Sequence, residues 1–285
     1  MIRVLRRADH RLLAGYAALS LIGIACGALA MALTGSPAMR WIPNIAAWLI
    51  GGIAAIAIIR TRPGPRSWLG IALVGTLALA GTLLGPDQMG VHRWIAIGPL
   101  FMNIAALALP AVIVALARLG PTHRASPILA TLLVAILALQ PDASQAIALA
   151  LACLAWLLPA RTPSGWATIA SIGGLAGLAL VQPDPLLPVP EVEQIISLVN
   201  KVHIALTAVA CTVLIWMPQI VRQFRPGDRA ALALAIYMAA VIVAPMFGWF
   251  PVPIVGAGMS FPLGFWLGIA LLAVGDRATR PVNIA

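Results

Sequence analysis

The sequence predicts an all-α integral membrane protein of about ten transmembrane helices, and three observations predict it. Of its 285 residues, 62% are hydrophobic and only 9% are charged, an apolar share far above that of a water-soluble domain. The apolar residues come in successive runs from Leu12 to Val274, most close to the roughly 20 residues that a spanning helix needs. The basic residues lie between those runs in tight arginine clusters, which is how cytoplasmic loops are marked. No stretch between runs is long enough for a globular domain, so one polytopic domain over 1–285 is expected.

The first run, 12–33, follows Arg3, Arg6, Arg7 and Arg11. It is long enough to span and has no convincing cleavage site, so it reads as a helix rather than a removed signal peptide. Runs near 41–59, 67–85 and 100–118 follow. The stretch 127–159 needs a decision. As one helix it would be roughly 50 Å long, against a hydrocarbon core of about 30 Å. A turn at Gln140-Pro141-Asp142-Ala143-Ser144 makes two crossings of it and puts every arginine cluster, Arg161 and Arg222 to Arg229 included, on one side. Pro141 and Asp142 suit a turn and a helix cap. Runs near 165–182, 200–220, 229–249 and 258–275 complete the count, with both termini in the cytoplasm.

This topology sorts the charges. Fifteen arginines face only Asp9, Asp228 and Asp276 on the inner side. Outside stand Arg40, Arg93 and Lys201 against Asp87, Asp142, Asp184, Glu191 and Glu193. The net charge of +10 is therefore a property of cytoplasmic loops and gives no reason to expect a nucleic-acid partner. Acidic residues contribute little to orientation, so their concentration outside points to an outer-face site. Cys26, Cys153 and Cys211 each sit inside an apolar run, where no disulfide is expected. The four scattered histidines add no metal-ligand spacing.

The most distinctive segment is Gly90-Val91-His92-Arg93-Trp94-Ile95-Ala96-Ile97-Gly98-Pro99-Leu100. It resembles the G-x-x-R-W-I-x-I-G-P-L signature of the SEDS proteins (shape, elongation, division and sporulation), the RodA/FtsW family. Leu139-Gln140-Pro141-Asp142, then Val189-Pro190-Glu191, then Pro251 to Ser260 are similar to further family motifs in the family's order, so the resemblance covers about 67–275. It implies a multi-pass protein of the bacterial inner membrane that serves peptidoglycan synthesis in cell division or shape control. The activity implied is glycosyl transfer that polymerises lipid II on the outer face, beside a class B transpeptidase (penicillin-binding protein). No resident cofactor or metal is implied, although a divalent cation accompanying the pyrophosphate suits the chemistry. That chemistry needs a carboxylate to deprotonate the attacking hydroxyl and cations to meet the leaving pyrophosphate.

The chain departs from the family's pattern where catalysis is expected. The essential aspartate of the family falls at Ile195, and the fourth-helix Q-P-S-E-x-x-K is replaced by Asn103-Ile104-Ala105-Ala106-Leu107-Ala108-Leu109. The long outer loop before the third motif is reduced to Gln182-Pro183-Asp184-Pro185-Leu186-Leu187-Pro188. Glu193 and Glu191 are the candidate substitutes for the base, although on a helix Glu193 would point about 200° away from residue 195. Both also suit an acidic loop feeding a helix N-terminus. Arg93 and Lys201 are the candidate pyrophosphate ligands; both also suit interfacial anchoring. Gln140, Asp142 and Ser260 are the expected outer-face polar or structural groups, with Asp142 best read as a cap.

Three functions compete: a SEDS-type polymerase with a relocated base, a non-catalytic SEDS-derived scaffold or binder of lipid-linked precursors, and a transporter or lipid flippase. Coupled transporters carry ionisable residues deep in the bilayer, whereas the charges here lie near the ends of the runs.

Overall fold

Where each helix starts and stops follows from its small polar residues and prolines. Asn103, Asp142, Thr162 and Asp228 each accept a hydrogen bond from a backbone N–H in the first turn that follows them, which satisfies donors a helix leaves open. Proline occupies the first turn of three further or overlapping elements, those beginning at Ile42, Pro65 and Pro163, where its missing N–H costs nothing.

The computed structural model describes residues 7–274. Arg3, Arg6, Asp276, Arg277, Arg280 and the expected cytoplasmic tail lie outside the described residues. In order the elements are α1 (Arg7–Leu33), α2 (Ile42–Thr61), α3 (Pro65–Gly81), β1 (Trp94–Ile97), β2 (Leu100–Asn103), α4 (Ile104–Leu119), α5 (Ala125–Leu139) and α6 (Ala143–Leu157). Then come α7 (Pro163–Val181), α8 (Ile195–Val202), α9 (Ile204–Phe224), α10 (Arg229–Val243) and α11 (Ser260–Val274). Among the described residues, seven helical segments are long and apolar enough to cross a membrane, and α4, α5 and α11 are shorter apolar helices. The protein is an all-α, multi-pass membrane protein, and the break between α5 and α6 falls at 140–142 as the sequence predicts.

The chief packing pairs are α11 with α2 and α4, α10 with α6, α1 with α9, and α3 with α4. α6 and α11 are buried over most of their circumference, whereas α2 and α3 expose Leu49, Ile53, Val74 and Leu77. In a bilayer such side chains are solvated by lipid, so helix association depends on close contact rather than on expelling water. Gly264 on α11 lies so near α4 that a Cβ there would overlap the carbonyl oxygens of Ala106 and Leu107. Gly27 on α1 meets the Val255 carbonyl in the same manner. Gly248, by contrast, faces only the Phe250 ring of its own loop.

The fourth run starts differently from the expected helix over 100–118. Residues 94–103 form an antiparallel hairpin, with Trp94 opposite Asn103 and Ile97 opposite Leu100, and the helix begins only at Ile104. Gly98, at φ 58°, opens the two-residue turn before Pro99, a backbone conformation that hairpin turns favour and glycine supplies freely. At the opposite, arginine-rich end, Arg225 pairs with buried Asp9 and donates to the Leu272 and Ala273 carbonyls of α11. Arg118 pairs there with Asp228. These charges hold α1, α4, α9, α10 and α11 together away from the cavity described next.

Candidate functional site

At the acidic end the hairpin, the α5–α6 turn and two long loops enclose a cavity of about 340 Å³. Its placement begins with Arg93. The Arg93 carbonyl accepts from Ile104 N, which fixes the start of β1 against the start of α4. Its side chain is only 9% exposed, so a charge there needs compensating partners. Nε donates to Gln140 O at 2.9 Å, and Nη2 donates to Pro141 O and, at 2.8 Å, to Asp184 Oδ2. Asp142 Oδ2 lies 3.9 Å from Nε. The guanidinium therefore clamps the α5–α6 turn to the 182–194 loop while forming part of the cavity wall.

That loop is stiffened by Pro183, Pro185, Pro188 and Pro190, which restrict their own φ and keep the preceding residues extended. It then closes a turn in which the N–H groups of Val192 and Glu193 donate to Val189 O. Val189 N donates in return to Glu193 Oε2 at 2.7 Å. Glu193 is half-buried and lines the cavity. Burial raises its pKa above the ordinary glutamate value, the Val189 hydrogen bond opposes that, nearby Asp184 adds to it and Arg93 reduces it. Because Glu193 precedes α8 in a turn, the two-residue offset from Ile195 is not a helical one. Ile195 itself is fully buried in an apolar cluster with Cys26, Met31 and Val199.

The structure brings together Arg93, Glu193, Asp142 and Ser260 on one cavity. Glu191 stands apart from it, accepting from Ser36 Oγ at 3.0 Å and, through its carbonyl, from Ala257 N. Lys201 is exposed and does not line the cavity. It follows Val199, which faces the apolar cluster, by two residues and so lies on the other side of α8. Gln140 is buried behind Arg93, donating to Thr82 Oγ1 and Leu79 O. Asp142 caps α6 by accepting from Gln145 N and also from Ser144 Oγ.

Sequence reasoning passed over four cavity residues. Arg40 is a second, exposed cation, visible in the sequence only as an outer-side charge. Asp184 is the anionic partner of Arg93. Asn103 and Gln145 lie at the starts of α4 and α6. Ala106, where the resemblance expects glutamate, contributes only a methyl group to the wall. The N-termini of α4, α6 and α11 all meet this cavity, and their partial positive charges add to those of the arginines. Among the described residues, no group of three His, Cys, Asp or Glu is placed to hold a metal ion.

No family model matches the chain, and no curated protein matches it. Solved structures do. The Rod shape determining protein RodA of Thermus thermophilus superposes with a TM-score of 0.64 at 18% identity, over 96% of this chain and 97% of that one. A mutant of the same protein gives 0.63 at 18%, over 95% and 97%. A structure described as coordinating polymerization and crosslinking in a peptidoglycan synthase complex gives 0.61 at 17%, over 97% and 99%. The chain thus has the RodA fold over nearly its whole length, in agreement with the order of its motifs.

Proposed function

We propose that this chain is a SEDS-type protein of bacterial cell-wall synthesis in the cytoplasmic membrane, and that its cavity receives a lipid-linked sugar pyrophosphate from the outer side. One observation carries the reading: Glu193 and Arg93 open on the same cavity in a protein with the RodA fold. Glu193 is the base. Its carboxylate takes the proton of the attacking sugar hydroxyl while that oxygen bonds to the donor's anomeric carbon. The bond from that carbon to the pyrophosphate oxygen breaks, and the pyrophosphate departs with the electron pair. Arg93, Arg40 and the three helix N-termini meet the charge that develops. A raised pKa makes Glu193 a stronger base than an exposed glutamate.

The partner in this reading is a membrane-anchored class B transpeptidase, in keeping with the peptidoglycan synthase complex that has the same fold. A divalent cation, where one takes part, arrives on the pyrophosphate. The test is conversion of lipid II to glycan strands by the purified chain with its transpeptidase, and loss of product in Glu193→Gln. A second reading keeps the binding and discards the turnover. It is favoured by Ile195, whose side chain fills the expected carboxylate position with apolar packing. It predicts lipid II binding with no product.

A further inference from the structure

Among the uncharged polar groups that line the cavity are Asn103, which caps α4, Gln145 in the first turn of α6 and Ser260 at the start of α11. Gln145 is 2% exposed, yet its amide is only half satisfied. Tyr237 on α10 donates its hydroxyl proton to Gln145 Oε1 at 2.6 Å, and Nε2 has no partner among the described residues. Tyr237 is itself fully buried and stacked edge-on against Phe265, so its hydroxyl has little freedom to turn away. An amide with its oxygen engaged must present its NH2 elsewhere, and the side of Gln145 not packed against protein is the cavity. Ser260 is 6% exposed, and its Oγ likewise has no hydrogen-bond partner among the described residues. Neither Gln145 Nε2 nor Ser260 Oγ is fully enclosed by protein, so each can donate into the cavity, where a ligand acceptor completes its hydrogen bonding.

We propose that Gln145 Nε2 and Ser260 Oγ form a neutral donor pair that selects the sugar of the ligand through an uncharged acceptor oxygen, with Tyr237 as the residue that orients Gln145. A neutral amide gains less than a guanidinium from a pyrophosphate and suits an acetamido carbonyl or a sugar hydroxyl. The division of labour is spatial: Arg93 and Arg40 take the charged group and Gln145 reads what is attached to it. This inference rests on the reading of the cavity as a site for lipid-linked sugar pyrophosphates.

The experiment measures binding of the full chain in nanodiscs to three probes: a polyprenyl pyrophosphate bearing N-acetylhexosamine, one bearing a plain hexose, and the bare polyprenyl pyrophosphate. Gln145→Leu, close in volume, is expected to weaken sugar-bearing probes about 5- to 10-fold, the worth of one net hydrogen bond, and to leave the bare probe unchanged. Tyr237→Phe acts in the same direction without removing the amide. Loss confined to the acetamido probe assigns the carbonyl as the acceptor; loss for both sugars assigns a hydroxyl. Equal weakening of all three probes, or none, overturns the proposal while the cavity's role stands. If the unaltered protein binds no probe, the functional reading falls as well.

Discussion

In the proposed reaction Glu193 is the residue on which the chemistry turns, and its surroundings give it a pH signature. It acts as a base only when ionised, so activity rises with pH as its proton is lost. Burial and Asp184 raise its pKa above the ordinary 4.5, which places the acid limb of the rate above that of an exposed glutamate. Glu193→Gln removes the activity at every pH, whereas Asp184→Asn removes a negative neighbour and moves the limb to lower pH; a pH–rate profile checks both. Ile195→Asp tests the alternative position. It buries an uncompensated charge among Cys26, Met31 and Val199, at a cost of about 3–5 kcal/mol, and is expected to lower thermal stability without supplying a base. Arg93 was legible from its motif. Gln145 was not, because a lone glutamine in an apolar run carries no pattern, and only the hydroxyl of Tyr237, 92 positions away, shows how it is held.

Among the elements, the α4–α11 contact sets the shape of the cavity. Both helices begin at its wall, at Asn103 and Ser260, and Gly264 allows their backbones to touch. Gly264→Ala is therefore expected to separate the helices, costing about 1–3 kcal/mol as overpacking does, and to weaken ligand binding as the wall shifts. Gly173→Ala, on the open face of α7 with nothing within 4 Å, is expected to be neutral or stabilising by up to about 1 kcal/mol. Thermal melts of the two variants separate a contact effect from a general response to losing glycine. The helix runs and the 140–142 turn were legible because hydropathy and charge both constrain them. The β1–β2 hairpin was not: Trp94 to Met102 is nearly continuously apolar, a pattern that serves strand and helix alike. Only Gly98-Pro99 marks the turn.

For the whole molecule, the charge asymmetry predicts an orientation. The cavity with its acidic residues belongs outside and the ends of α4, α9 and α11 opposite it belong in the cytoplasm. Leu187, 79% exposed beside the cavity, and His123, in the arginine-rich α4–α5 connection, serve as reporters. Leu187→Cys is expected to react with an impermeant maleimide on intact cells, and His123→Cys only after the membrane is opened. The RodA fold was legible in four motifs in order. The departures at Ile195 and Ala106 were equally visible, but their consequence depends on a turn that brings Glu193 to the cavity through Val189 and a run of prolines. The most direct test of a relocated base is lipid II polymerisation by the chain with its transpeptidase, comparing the unaltered protein with Glu193→Gln. The account predicts glycan strands from the first and none from the second, with lipid II still bound by both. Equal product from both, or binding without product from the unaltered protein, contradicts it.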